Sequence, residues 1–228
     1  MDFNIRTVFL HCKLLTDRKK SILKQTEFFN FKNYSIYEDY DVVDLNDNII
    51  NEYYDKSQTI KKLQEGYGIQ ISSFNELHKK QISLNMKFGK CFELLSTYND
   101  EYFLVLEDDV IFCENFVEKF YDHLKRCPKD WDVIYLGNGI NLIPDNITAD
   151  NNFYIRNHPA SKCSDSMILT KKALDDLNKT WFPFSLGSDF ELSYQHVLHN
   201  HKVYWWHPPL IYQGSQNGTF ESCFGNNL

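Results

Sequence analysis

Residues 102–112 read YFLVLEDDVIF, and the rest of the chain can be organised around them. The apolar run Tyr102–Leu106 has the length and the β-branched and aromatic content of a buried strand. Glu107, Asp108 and Asp109 follow without a break. Unpaired buried charge is costly, so the acids belong where the strand ends and the chain turns. In an open α/β sheet that point is the mouth of the crevice where ligands bind. A hard divalent cation, Mn²⁺ or Mg²⁺, would neutralise the cluster and could then hold a diphosphate. An acidic turn with solvated side chains accounts for the same letters.

The 228 residues suit one domain over 1–228, alone or as a module of a longer protein. A hydrophobic content of 43%, with 16% aromatic residues, supplies a real core and argues against disorder. The net charge of −7 argues against a nucleic-acid partner, which would call for a basic face. It leaves room for a small anion bound through a metal. Cys12, Cys91, Cys113, Cys127, Cys163 and Cys223 are dispersed, with no CxxC pair or metal-like spacing. The N-terminus lacks a basic start and a long apolar stretch, so no signal peptide is expected. No apolar run approaches the ~20 residues of a membrane span. A reducing, cytoplasmic setting follows as the expectation, and the oligomeric state is left open.

Working outward, residues 7–12 (TVFLHC) read as a first strand, followed by a helix from Thr16 or Asp17. That helix is expected to bury Ile22, Leu23, Phe28 and Phe29. Residues 40–45 (YDVVDL) read as a second strand, and residues 46–68 have no clear assignment. Ser73 to Glu76 form a capping-box pattern opening a long helix toward Leu95. Beyond the acidic stretch come a helix over 115–126 and a strand over 131–137 (WDVIYLG). A loop is expected over 138–151, and strands over 153–156 and 164–169. A helix capped by Thr170, a helix over 188–199 and an extended segment over 203–212 complete the pattern, before an irregular tail. Strands alternating with helices define an α/β sandwich with a mainly parallel central sheet.

The succession LEDDV, WDVIYLG, SDSMILTKKALDDL, GSDFE and HPPLIYQGS resembles glycosyltransferase family 25. That family includes lipopolysaccharide and collagen hydroxylysine galactosyltransferases. The composition, rich in Asn, Lys, Ile, Phe and Tyr, is similar to that of the collagen-modifying glycosyltransferases of giant viruses. The resemblance runs from the first strand to about Ser215. It implies a GT-A type, Rossmann-like fold: a mixed, mainly parallel sheet with helices on both faces, a nucleotide-sugar donor and Mn²⁺ (or Mg²⁺). Two departures stand out. His11-Cys12 occupy the place of the family's Asn-Leu, and Met86-Lys87 stand where a Ser-His pattern is expected.

By the same resemblance Asp109 binds the metal, while Asp108 and Glu107 face ribose, base or metal-bound water. His11 and Arg18 join them around the donor. His207 is the candidate second metal ligand, since imidazole suits Mn²⁺. A histidine bonded to backbone at the core edge is the simpler alternative. Inverting transfer needs a general base, and Asp189 takes that role. Glu191, two residues on, faces elsewhere on a helix and completes a capping box with Ser188, or touches the acceptor. Asp165 could touch sugar or acceptor, and Gln213, Ser215 and Gln216 could line the same mouth. His196, His199 and His201 resemble a zinc cluster, but no Cys or carboxylate lies at matching spacing. Tyr204, Trp205 and Trp206 either stack a ligand or pack a core strand.

The expected activity is inverting, metal-dependent transfer of a hexose, galactose or glucose, from a UDP-sugar to a hydroxyl. The acceptor is a hydroxylysine-containing collagen-like protein or a glycan. A catalytically inactive GT-A-like module that docks a partner is the alternative. A metal-dependent phosphoesterase would need further His and Asp ligands that the sequence does not place convincingly.

Overall fold

The computed structural model describes residues 1–70, 72–137, 139, 153–155 (as backbone) and 161–222. The first half comprises β1 (Arg6–Leu10), α1 (Thr16–Phe28), β2 (Tyr34–Tyr37), α2 (Asp47–Tyr53), α3 (Thr59–Tyr67) and α4 (Lys79–Ser96). Next come β3 (Tyr102–Glu107), β4 (Val110–Phe112), α5 (Phe116–Arg126), β5 (Val133–Tyr135) and β6 (Phe153–Ile155). The last part holds β7 (Ser166–Thr170), α6 (Lys171–Thr180), α7 (Ser188–Leu198), β8 (Val203–Trp206), β9 (Ile211–Gln213) and α8 (Gly214–Asn217).

The main sheet has the order β2-β1-β3-β7-β5-β8-β6. β2, β1, β3, β5 and β8 share one direction, whereas β7 and β6 run against it. Alternation along the strands explains the two cores. Phe9, Leu104, Leu106, Ile134 and Ile168 face α1 and α5, burying Ile22, Phe116 and Phe120. Val8, Leu10, Phe103, Val105, Val133, Met167 and Leu169 face α4, α6 and α7, burying Phe88, Phe92, Leu174 and Leu192. Both faces are covered, so the central strands read as unbroken apolar runs rather than alternating ones. The result is the mixed, mainly parallel sheet with helices on both faces that the sequence led us to expect. Among the described residues no helix is long and apolar enough to cross a membrane.

Several local readings are corrected. The second strand is Tyr34–Tyr37, not 40–45. It lies at the sheet edge with Tyr34 and Ser35 exposed, so it lacks a buried run. Residues 42–44 form a 3₁₀ turn instead, because the Asp44 side chain accepts a hydrogen bond from the Asp41 backbone N–H. Residues 46–68, unassigned from sequence, hold α2 and α3. Leu23 and Phe28 of α1 are exposed, since only the side of Ile22 meets the sheet. The long helix starts at Lys79, with Gln81 accepting from the His78 N–H, so 73–76 lie outside it. Residues 203–212 split into β8 and β9, and β9 pairs antiparallel with β4 in a separate small sheet. The expected loop over 138–151 (Gly139 excepted), the end of the 153–156 strand at Arg156, Cys223 and most of the tail fall outside the described residues. The other five cysteines are free thiols.

Candidate active site

β1 lies between β2 and β3, so the chain leaves β1 on one side and returns on the other. In α/β sheets such a reversal opens a crevice at the carboxyl ends of the strands. A cavity of about 220 Å³ lies there. Its walls include the ends of β1 (Leu10, His11, Cys12) and β3 (Glu107), the acids Asp108 and Asp109, and Gln213 and Ser215. Leu14, Leu15, Val42, Val43 and Leu84 give it an apolar side, and Arg18, Lys80 and Lys87 give it cationic ones.

The three consecutive acids have three different environments. Asp108 is buried and fully engaged by protein. Its Oδ2 accepts from His11 Nδ1–H at 2.9 Å and from the Cys12 N–H at 3.0 Å, and its Oδ1 accepts from Arg18 Nη1 at 2.6 Å. Burial pushes its carboxyl up, but His11, Arg18 and Cys12 outweigh burial and hold it below the usual range. Asp108 thus ties β3 to the start of α1 while it lines the cavity. His11 is likewise a wall residue, with no exposed surface. Arg18 also donates Nη2 to the Glu221 carbonyl at 2.6 Å.

Asp109 differs. Its Oδ2 accepts from the Ser215 N–H at 3.3 Å, while its buried Oδ1 has no hydrogen-bond partner. Glu107 accepts from Ser164 Oγ, which lies within reach of Ser188 Oγ at 3.1 Å. Burial, then Asp109, pushes the Glu107 carboxyl well up. Burial likewise raises Asp109, with Ser215 and Arg18 opposing.

Asp165 and Asp189 complete an acidic group. Asp165 precedes β7, and its backbone carbonyl accepts from the Glu107 N–H at 2.8 Å. Ser166 Oγ donates to its Oδ2 at 2.9 Å, and its Oδ1 is buried and unbonded. Burial raises Asp165 to about 7, with Asp109 and Asp189 adding to the shift. Asp189 sits in the first turn of α7, half-buried, with its Oδ1 also unbonded and its carboxyl raised by burial. Four carboxylates that repel one another, three with bare buried oxygens, suit a cation. Among the described residues no three His, Cys, Asp or Glu side chains converge tightly enough to hold a metal by themselves. A metal here would take one or two protein oxygens and the rest from ligand phosphate and water.

Other sequence-derived candidates settle elsewhere. Glu191 has no exposed surface and makes no capping box, since Gly187 rather than Ser188 is the N-cap of α7. Its oxygens accept from Lys62 Nζ at 2.6 Å, from Gln195 Nε2, and from the Ser185 and Leu186 N–H groups. That network docks α3 and the segment before α7, and leaves the carboxylate closed to an acceptor. Removing one partner of a buried ion pair strands the other charge. Lys62→Met is therefore expected to cost about 3 kcal/mol in urea denaturation.

His207 does not line the cavity, and burial followed by Lys162 lowers its pKa. His196, His199 and His201 bond to Tyr135, Thr180, Asp176 and one another. Tyr204, Trp205 and Trp206 are buried in β8, the packing alternative. Gln213 and Ser215 do line the cavity, whereas Gln216 is exposed.

Sequence reasoning missed Asp41 as a site residue and gave Lys87 no role. Both are buried and line the cavity, with Lys87 Nζ 2.7 Å from Asp41 Oδ1. Lys87 also donates to the Asp39 carbonyl at 2.7 Å, and Asp41 Oδ2 accepts from the Lys13 N–H at 2.9 Å. The available signal was Met86-Lys87 standing in place of the expected Ser-His.

No family model and no curated protein matches the sequence. Several solved structures are distantly similar in fold. A glycosyltransferase involved in the glycosylation of the major capsid of PBCV-1 matches with TM-score 0.44 and 10% identity, over 93% of this chain and 93% of that one. Mouse xyloside xylosyltransferase 1, apo form, matches with TM-score 0.42 and 10% identity, over 94% and 85%. The inositol-1-phosphate CTP transferase from T. maritima matches with TM-score 0.45 and 12% identity, over 100% and 94%. These likenesses are too distant to bear on the chemistry.

Proposed function

We propose that the protein is an inverting, metal-dependent glycosyltransferase of the family 25 type. It moves galactose or glucose from a UDP-sugar to a hydroxyl of a collagen-like hydroxylysine or a glycan. The observation that carries this reading is one cavity with two electrostatic sides. Asp109, with one buried oxygen lacking a hydrogen-bond partner, and Glu107 line the same space as Arg18, Lys80 and Lys87. A nucleoside diphosphate bridged by a divalent cation satisfies both sides, and the apolar wall of Leu14, Leu15, Val42, Val43 and Leu84 suits a base and ribose.

In this reading Asp109 holds the metal, with Glu107 in support, and His207 stays a candidate ligand. A bound Mn²⁺ or Mg²⁺ supplies neutralisation of the leaving diphosphate. Arg18, clamped by Asp108, adds fixed positive charge without reorganising. Asp189, partly buried at the first turn of α7, takes the proton of the acceptor hydroxyl as that oxygen bonds to the anomeric carbon. The bond from that carbon to the diphosphate oxygen breaks on the opposite side, and UDP leaves with the electron pair. Asp165, with no exposed carboxylate surface to speak of and a pKa raised by burial, supports sugar or acceptor.

Calorimetric titration of UDP, with and without Mn²⁺, into wild type and Asp109→Ala tests the donor site. Binding is expected only where both the metal and Asp109 are present. Absence of UDP binding in wild type under both conditions removes the UDP-sugar reading.

A further inference from the structure

A second polar system crosses the core behind the acidic group, joining β5, α6 and α7. Tyr135 Oη is 2.8 Å from His196 Nε2, His196 Nδ1 is 3.1 Å from His201 Nδ1, and His201 Nε2 is 3.3 Å from Asp176 Oδ2. Tyr135 and His196 have no exposed surface and His201 has 2%, whereas Asp176 reaches solvent. Burial lowers the pKa of both histidines, so both are neutral near pH 7. Burial raises Asp176, but His201, His199 and Lys172 outweigh it and hold the carboxyl ionised.

A carboxylate only accepts hydrogen bonds, and this fixes the direction of the whole chain. His201 donates Nε2–H to Asp176, which leaves its Nδ1 to accept from His196 Nδ1–H. His196 Nε2 must then accept from the Tyr135 hydroxyl. Each proton points outward, toward Asp176. The other titratable or charged groups facing the pair are His199, Asp132 and Lys172. His199 is anchored to Thr180 Oγ1 at 2.7 Å.

The inner end of the chain lies on the same face of the sheet as Asp165. β5 and β7 pair Tyr135 with Met167, and the same antiparallel register sets Gly137 opposite Asp165. A Cβ on Gly137 would collide with the Asp165 carboxylate, so the two are in contact. Residues two apart on a strand share a face, which puts Tyr135 and Asp165 on one side of the sheet. Asp189 is the charged group that bears most on the Tyr135 hydroxyl, and Asp165 also contributes.

We infer that this chain is a positioning device. Asp176, acting through His201 and His196, holds the single Tyr135 hydroxyl proton in the hydrogen bond to His196 Nε2, so Asp165 and Asp189 receive no donor from it. A bare carboxylate is the stronger base. The catalytic value of the arrangement rests on the function proposed above, whereas the polarity of the chain does not.

The test is to reverse the outer end. Lysine is donor-only, so Asp176→Lys makes His201 Nε2 an acceptor, moves the His196 proton to Nε2 and frees the Tyr135 O–H to turn toward the carboxylates. In ¹⁵N spectra His196 is expected to change from the Nδ1–H to the Nε2–H tautomer. The side-chain carboxyl ¹³C shifts of Asp165 or Asp189 should move with it, and return when Tyr135→Phe is added. Turnover of UDP-galactose or UDP-glucose is expected to fall about tenfold in kcat at unchanged KM, and to recover in the double variant. Should Asp176→Lys fold poorly, acidifying wild type below the usual histidine range gives the same reversal, because protonated His201 carries both N–H groups; there the His196 tautomer alone is read, since Asp165 takes up its own proton near 7. Unchanged tautomers under both treatments overturn the inference, as do carboxyl shifts that Tyr135→Phe does not restore. If wild type turns over neither donor, the proposed function fails for those sugars and the NMR arms still decide the chain.

Discussion

Asp189→Asn is expected to lower kcat by about 10²- to 10⁴-fold while leaving UDP affinity and the fold intact. The substitution keeps the shape of the side chain at the first turn of α7. It deletes the one property that proton abstraction needs. Losing negative charge at a helix N-terminus costs about 0.3–1 kcal/mol, and the relief of burying a charge offsets it. Glu191 and Ser193 hold this end of α7 through their own hydrogen bonds, so the local backbone does not depend on the Asp189 carboxylate. Transient kinetics with the binding constant measured separately distinguishes the base from a donor contact. Activity within about threefold of wild type moves the base assignment to Asp165.

Asp165→Asn carries an expected gain. Burial, with Asp109 and Asp189 nearby, lifts the Asp165 carboxyl from 3.8 to about 7 in the folded state. The charged form is therefore penalised in the native protein at pH 8. A neutral isostere removes that penalty, which at ~1.4 kcal/mol per pKa unit amounts to about 4 kcal/mol. The sign reverses the usual carboxylate case. As the pH falls through about 7, wild type recovers the stability itself by binding a proton that the unfolded chain does not bind until near 3.8. Urea denaturation without divalent cations should show the variant ahead at pH 8, with the difference narrowing below pH 7 and largely gone by about pH 4. A variant less stable than wild type at pH 8 would mean that the Asp165 charge is already compensated in the native state.

How much of this could be read in advance depended on the range of the contacts involved. The strands of the central sheet are buried on both faces, so their apolar runs named them, and the acids at the end of β3 marked the crevice. β2 failed because an edge strand with exposed Tyr34 and Ser35 has no buried run, while Val42 and Val43 imitate one. Leu23 and Phe28 failed because periodicity cannot say how wide a stripe the sheet will cover. The Asp41–Lys87 pair joins residues far apart in the chain, and no local pattern announces such a partner. The partners of Asp108 and Glu191 were missed for the same reason. Each is an acid in a suggestive motif, and each turns out to be occupied by a cation from a distant helix, Arg18 in one case and Lys62 in the other.

The reversed direction of β7 gives the site an unusual dependence on alignment. Its neighbour β3 delivers Glu107 as it exits the sheet, but β7 delivers Ser164 and Asp165 on the way in. The position of those side chains is thus measured back from the hydrophobic teeth Met167, Ile168 and Leu169, which lock into cores on opposite faces. A slip of one residue would present Ser166 opposite Gly137 and turn Asp165 to the other face of the sheet. Greasy residues that touch no ligand therefore act as the ruler for the chemistry.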